Sequence, residues 1–233
     1  MSTTVNPDAL AEPVPLGSTD RTRVRRLPEK AVTDRAALHD VLDAGLVAHV
    51  AVTDASGPGG AAQPYILPVA YARDGESVLF HGSTGSRLFR LLADGAPTCL
   101  TVTLLDGLVV ARSAFESSMN YRGAMVLGSC SMVPEADKEA ALEVITEHLM
   151  PQRWKHLRAP LRKELAATVV LSLSLAEASV KISVGDPEDP EEDLDQPVWA
   201  GVVPISEVYC DPRPSADLAP GIDVPDYVRG WRR

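Results

Sequence analysis

The feature that most constrains this chain is the brevity of its apolar runs. Stretches such as Leu46–Thr53, Tyr65–Ala72, Ser77–His81, Thr98–Leu105 and Thr168–Leu175 are each a few residues long. Most are separated by turn-forming residues, among them Asp74-Gly75 and Asp106-Gly107. Short β-branched runs between such turns are strands, and brief connections favour antiparallel pairing. Further strands are expected at Leu108–Ser113, Gly123–Val133, Ala178–Val184 and Val198–Ile205. Three helices punctuate them. One follows Thr33 or Asp34 as cap and stops at Gly45; one covers Arg87–Leu92; one begins with Pro134 in its first turn. An antiparallel set of this size protects its edges by closing. The expected fold class is therefore mainly β with flanking helices, an antiparallel barrel.

The remaining segments divide the chain. Residues 1–20 are Pro-, Ser- and Thr-rich without periodicity and read as a mobile arm; 21–210 form one domain; 211–233 form a Pro-rich tail over the surface or a partner. Arg21, Arg23, Arg25, Arg26 and Lys30 make a basic patch. Residues 186–195 carry seven acidic side chains and two prolines and read as a solvated loop, attracted at most modestly to that patch. The loop lacks the residue order of a calcium site, so no metal is expected there.

Charge and cysteine usage narrow the function. A net charge of −10 argues against nucleic acid or anionic membrane as partner. No apolar stretch approaches the ~18 residues of a membrane span, and the N-terminus lacks a signal-peptide core. Cys99, Cys130 and Cys210 are odd in number and widely spaced, so free thiols in a cytoplasmic protein are expected. The histidines show no metal spacing, and neither HExxH nor GxSxG occurs.

Two polar segments stand out. His81-Gly-Ser-Thr-Gly-Ser-Arg87 lies between a strand and a helix. Backbone N–H groups at a helix start, the hydroxyls of Ser83, Thr84 and Ser86, and the Arg87 fork together suit a phosphate, with Gly82 and Gly85 permitting close approach. A capped helix with a surface arginine has the same pattern. Ser117–Arg122, read as a connection between strands, places Asn120, Tyr121 and Arg122 where a phosphorylated heteroaromatic ligand would find polar and flat partners. A polar hairpin connection reads the same way. Trp199 in the last strand is either core or a ligand cover.

In this order, Arg25–Lys30, Leu42–Val47, Pro64–Val69, Phe80–Ser83 with Arg87, Met119–Arg122 with Gly128, and Lys181–Pro204 resemble the pyridoxamine 5'-phosphate oxidase-related superfamily of FMN-binding split β-barrels, nearest its nitroimidazole-reductase-like branch. The resemblance implies a homodimer with FMN at the subunit interface. It implies that Ser83, Thr84, Ser86 and Arg87 hold the phosphate beside His81 and Gly82, and that Pro68 and Val69 lie along the isoalloxazine. Ser118, Met119, Asn120 and Tyr121 would contribute from the next connection, if need be from the partner subunit. His81 matches a ligand-proximal histidine of that branch and is the one candidate catalytic residue.

The function so implied is an FMN-dependent oxidoreductase that reduces small electron-poor molecules with NAD(P)H as donor. The alternative is a non-enzymatic protein that binds FMN or haem, since some relatives take haem or a deazaflavin. Vitamin-B6 phosphate oxidation is disfavoured: the C-terminal RLHDR-type motif is absent, and the chain ends Tyr227-Val-Arg-Gly-Trp-Arg-Arg233.

Overall fold

A computed structural model describes residues 15–55 and 61–232. Its elements run β1 (Ala31–Val32), α1 (Arg35–Ala44), β2 (Val47–Asp54), β3 (Gln63–Asp74), β4 (Ser77–Ser83), α2 (Arg87–Ala93), β5 (Pro97–Val110), β6 (Ser118–Ser129), β7 (Ser131–Met132), α3 (Lys138–Leu149), α4 (Arg162–Ala167), β8 (Thr168–Ser174), β9 (Ala178–Ser183), β10 (Gly201–Pro204) and α5 (Asp226–Arg229).

The strands join in the order β1-β9-β6-β5-β2-β3-β4-β8-β7, with β10 beside β5, and every pair is antiparallel. Burial alternates along β2, where Ala48, Val50, Val52 and Asp54 turn inward and Val47, His49 and Thr53 outward. The inner faces enclose a core of Val50, Tyr71, Phe80, Leu100, Val126, Leu171 and Val180. Helix α1 closes one side with Leu38, Val41 and Leu42; its cap is Asp34, whose Oδ1 accepts the Ala36 N–H at 2.9 Å. Gly45 ends α1, but its backbone is extended rather than left-handed. What requires glycine there is space: a Cβ would stand 2.5 Å from Tyr71 Oη and Val102 Cγ1. A second, smaller core forms where α3 lies over β3, β4 and β8, with Leu79, Ala141, Ile145 and Val170.

Strand β3 positions the site. Its first half, Gln63–Ala70, pairs with β2; its last four residues, Tyr71–Asp74, pair with β4. Beyond Phe80, residues His81–Ser83 pair with β8 and not with β3. The two sheets therefore part between Val69–Ala70 and His81, and this gap makes the barrel a split one. Pro64 and Pro68 fall in the half of β3 with a single neighbour, where a missing N–H breaks no ladder.

Several expectations are corrected. Asp106-Gly107 is not a turn. Leu104 and Leu108 belong to one long strand, and the extra residue is absorbed as a bulge between Leu105 and Gly107. The polar segment before Gly123 is strand from Ser118 onward, not a connection. Helix α3 starts at Lys138; Pro134–Asp137 form a turn ahead of it. The last core strand shrinks to Gly201–Pro204, and Trp199, 65% exposed, is not core. Among the described residues there are ten strands, with β7 (Ser131–Met132) and β1 (Ala31–Val32) as short additions, and α4 and α5 are also additional.

Of the N-terminal arm, residues 1–14 lie outside the described residues, as do residues 56–60. Residues 15–20 are docked: Leu16 is buried in the main core, and the Gly17 N–H donates to Ala178 O at 2.9 Å. The basic patch does not meet the acidic loop. Arg21 pairs with Glu177, and Lys30 Nζ donates to Ser183 Oγ at 3.0 Å. The acidic loop is anchored instead by Asp189, 1% exposed, which accepts from the Arg112 backbone N–H at 2.8 Å and from its guanidinium at 2.9 Å. The tail folds onto its own chain. Tyr227 stacks on His156 with ring centroids 4.6 Å apart, and Trp231 Nε1 donates to Pro151 O at 3.1 Å.

Candidate functional site

The turn after β4 is built by its own hydrogen bonds. Ser83 Oγ accepts the Gly85 N–H at 3.2 Å, Ser83 O accepts the Ser86 N–H at 3.0 Å, and the Thr84 N–H donates to Ala167 O at 3.0 Å. Gly82 has a different reason to be glycine than the expected approach to a ligand. A Cβ there would sit 2.2 Å from the Phe89 ring, so its bareness lets α2 pack against β4. That packing sets where α2 begins, and α2 begins with Arg87.

Arg87 is presented at the mouth of the barrel. Its guanidinium lies 5.0 Å from the Tyr65 ring centroid, donates to Tyr65 Oη at 2.5 Å, and stands 3.9 Å from Asp54 Oδ2. The Arg87 side chain is 59% exposed and that of Asp54 11%. Beside them opens a cavity of about 230 Å³ walled by Val52, Tyr65, Leu67, Ser86, Arg87, Leu88 and Leu91. Tyr65 and Asp54 belong to this site and were not singled out in the sequence. Tyr65 lies within Pro64–Val69, whereas Asp54 follows the expected strand Leu46–Thr53 and carries no signal of its own.

His81 sits on β4 at the parting of the sheets, with Pro68 and Val69 on the free half of β3 nearby in the fold. His81 is exposed in the single chain, yet desolvation by its surroundings disfavours the charged form and lowers its pKa from the ordinary value. Its side chain makes no hydrogen bond among the described residues, and the lowered pKa favours the neutral imidazole.

The second expected cluster is not at this place in the same chain. Ser118, Met119, Asn120 and Tyr121 pair with Val109, Leu108, Gly107 and Leu105. The Arg87 neighbourhood lies beside Val52, which pairs with Thr98. Seven to eleven residues of β5 separate the two, roughly 23–36 Å of strand. Ser118 and Met119 are exposed, Tyr121 half-buried. Asn120 is buried, and its Nδ2 donates to Gly185 O at 2.9 Å, tying β6 to the segment after β9. Arg122 is held by Asp106 through two bonds of 2.9 and 2.7 Å, which raises its pKa further.

Among the described residues no three His, Cys, Asp or Glu side chains gather as a metal site. No described helix is long and apolar enough to cross a membrane.

Known proteins place this architecture. The family described as "Pyridoxamine 5'-phosphate oxidase" matches over residues 34–182. The FAD and haem binding protein from Mycobacterium smegmatis is 42% identical, with a TM-score of 0.81 over 86% of this chain and 96% of that one. The flavocytochrome Anf3 from Azotobacter vinelandii is 40% identical, with a TM-score of 0.84 over 92% of this chain and 97% of that one. A candidate 5-nitroimidazole antibiotic resistance protein from Bacteroides thetaiotaomicron shares the fold at 17% identity and a TM-score of 0.53, over 65% of this chain and 86% of that one. No curated protein matches in sequence. By the match over residues 34–182, the chain belongs to the pyridoxamine 5'-phosphate oxidase family, and its fold is the split barrel.

Proposed function

We propose that this protein is a flavin-binding redox protein that works as a homodimer. The observation that carries the reading is the mouth of the split. There Arg87 and the Ser83–Ser86 turn stand beside the stretch of β3 that pairs with β2 alone and holds Pro68 and Val69. FMN is the smallest flavin that fits this description, with its phosphate on Arg87, Ser83, Thr84 and Ser86 and its ring along Pro68 and Val69. The two 40–42% identical relatives, one described as binding FAD and haem and one as a flavocytochrome, support a flavin at this site.

We base the homodimer on separation. Ser118, Met119 and Tyr121 lie at the far end of the sheet from Arg87 and would meet a flavin there from a second copy, whereas the Asn120 amide is spent on Gly185 O. The outer sheet face also leaves apolar side chains uncovered, with Ile66 63% and Val47 49% exposed.

When bound, the flavin supplies the redox chemistry. The chain's own part is to hold the phosphate with Arg87, to shield the ring edge along β3, and to offer a neutral His81 imidazole beside it. The reaction we assign is reduction of small electron-poor molecules with electrons from NAD(P)H, in the cytoplasm. Flavin uptake is tested by titrating stripped protein with FMN and FAD. A protein that quenches neither fluorophore overturns the reading, and light scattering that gives a monomer with flavin bound overturns the dimer. Turnover of NAD(P)H with a nitroaromatic acceptor tests the activity.

A second reading is favoured by the same two relatives, one described as binding haem and one as a flavocytochrome. In it the protein carries haem as well as, or instead of, catalysing substrate reduction. Its axial ligand would be a histidine. Of the candidates His49, His81 and His148, the last has its Nε2 2.7 Å from Gly45 O, while the side chains of His49 and His81 make no hydrogen bond among the described residues and are available for this role. A Soret band in the purified protein, or after haem addition, separates this reading from a flavin-only protein.

A further inference from the structure

We infer a second ligand site, in the C-terminal tail, that takes the adenylate group of a purine nucleotide, with its phosphate on Arg229 and Arg232 and its base on Trp231. The site is a cavity of about 570 Å³ walled by residues of the segment 209–232 alone, beyond the stretch 34–182 that matches the family. It does not depend on the flavin reading. Its size is that of a small-molecule site, and three kinds of group line it.

The first is a fixed ring. Trp231 Nε1 donates to Pro151 O at 3.1 Å, and its ring meets the edge of Tyr227 with centroids 6.2 Å apart. Tyr227 is itself held, stacked on His156 and accepting from Arg153 at 2.8 Å. Tyr209 leans on the indole from a centroid distance of 6.1 Å. These contacts orient Trp231, which lines the cavity with Tyr209, Val224 and Val228. A base stacks on such a ring with little further ordering of the protein.

The second is a pair of arginines. Arg229 Nε donates to Val224 O at 3.0 Å, and Arg232 Nη1 donates to Arg229 O at 2.8 Å and to Trp231 O at 2.7 Å. Main-chain oxygens thus steer both guanidiniums and leave their other N–H groups for a ligand. Arg35, Arg73, Arg112, Arg122 and Arg158 each hold a carboxylate. Arg229 and Arg232 hold none among the described residues, in a chain of net charge −10. Two guanidiniums in one cavity repel each other, and a phosphate between them removes that repulsion and accepts from both.

The third is Asp211, the one acidic side chain in the wall. A bare phosphate has no use for a carboxylate or an indole. A nucleotide uses all three groups: its phosphate accepts from the arginines, its ribose hydroxyls donate to a carboxylate, and its base stacks. The adenylate group has two sources, a free mononucleotide or the adenylate half of a nicotinamide dinucleotide.

Calorimetry on the full chain with AMP, adenosine, inorganic phosphate and NADP⁺ tests the site. AMP is expected to bind one per chain, and adenosine and phosphate each at least about tenfold more weakly. Arg229→Gln and Arg232→Gln should each weaken AMP by about tenfold or more. Adenosine should be insensitive to both variants, which separates a lost phosphate contact from a loosened tail. Trp231→Ala should weaken AMP and adenosine alike, and Trp231→Phe, which keeps a ring, should weaken them less. Arg87→Ala should leave AMP unchanged. NADP⁺ that displaces AMP and binds tighter makes the dinucleotide the source, and NADP⁺ that fails to displace it makes the source a free nucleotide. The proposal is overturned if neither AMP nor NADP⁺ gives saturable heat at millimolar concentration, if the arginine variants change nothing, or if Arg87→Ala abolishes AMP binding. None of these outcomes touches the flavin reading, which is decided by FMN and FAD titration.

Discussion

Adding one methyl group at residue 82 tests how β4 and α2 are joined. In Gly82→Ala the new Cβ would stand 2.2 Å from Phe89 Cε2 and 2.5 Å from Cδ2 and Cζ. Carbon atoms in contact prefer about 3.5–4.0 Å, so the ring must retreat by more than an ångström. It has little room. Phe89 is buried, and its ring centroid is 5.9 Å from that of Phe80, which is wholly buried. The cost therefore falls in the overpacking range of about 1–3 kcal/mol. For a domain of this size that lowers Tm by about 2–12 °C. Urea and thermal unfolding of Gly82→Ala, Phe89→Ala and the double variant measure it. Phe89→Ala alone should cost about 3–5 kcal/mol, while adding Gly82→Ala in that background should cost almost nothing. A Gly82→Ala protein within about 0.5 kcal/mol of the parent would refute the reasoning, as would an equal cost in both backgrounds.

Arg87→Ala should weaken flavin binding by about 10- to 150-fold, the loss of a charge-assisted contact of about 1.5–3 kcal/mol. Arg122→Ala should weaken it less, because that guanidinium is bound to Asp106; fluorescence titration that ranks them the other way refutes the phosphate placement. Burial pushes the Cys130 thiol up to about 12, so a disulfide reagent at pH 8 should label the exposed Cys210 quickly and Cys130 only on unfolding. Burial holds His81 below its ordinary 6.5. Its contribution to stability should be full above that value and lost as pH falls toward the folded pKa; an NMR titration midpoint above 6.5 would contradict this. Asp189→Ala removes the anchor of the acidic loop and strands Arg112, and should cost about 1.5–3 kcal/mol in denaturant unfolding.

The local signals in the sequence were physical ones and held where the structure kept them local. Alternation along Val47–Asp54 makes a half-buried strand wherever that strand is placed, and Asp34 caps α1 with its own side chain. His81–Arg87 is a strand, turn and helix start because its hydroxyls and carbonyls bond within the turn. The ordered set of motifs carried the family and the split barrel. Asp106-Gly107 misled because an Asp-Gly pair makes a turn in isolation. Here β6 pairs across both sides of it and β10 runs alongside, so the ladder continues and the pair becomes a bulge.

Only the tertiary structure decided what depends on partners distant in the chain. Asp54 and Tyr65 join Arg87 because β2 and β3 pair beneath α2. Asp189 is buried on Arg112 rather than solvated, since a charge in an acidic run goes where one cation waits. Gly82 serves Phe89, a steric demand with no sequence signature. Ser118–Tyr121 and Arg87 look like one site when read along the chain. The length of β5 holds them apart, because pairing register, unlike motif order, sets distance.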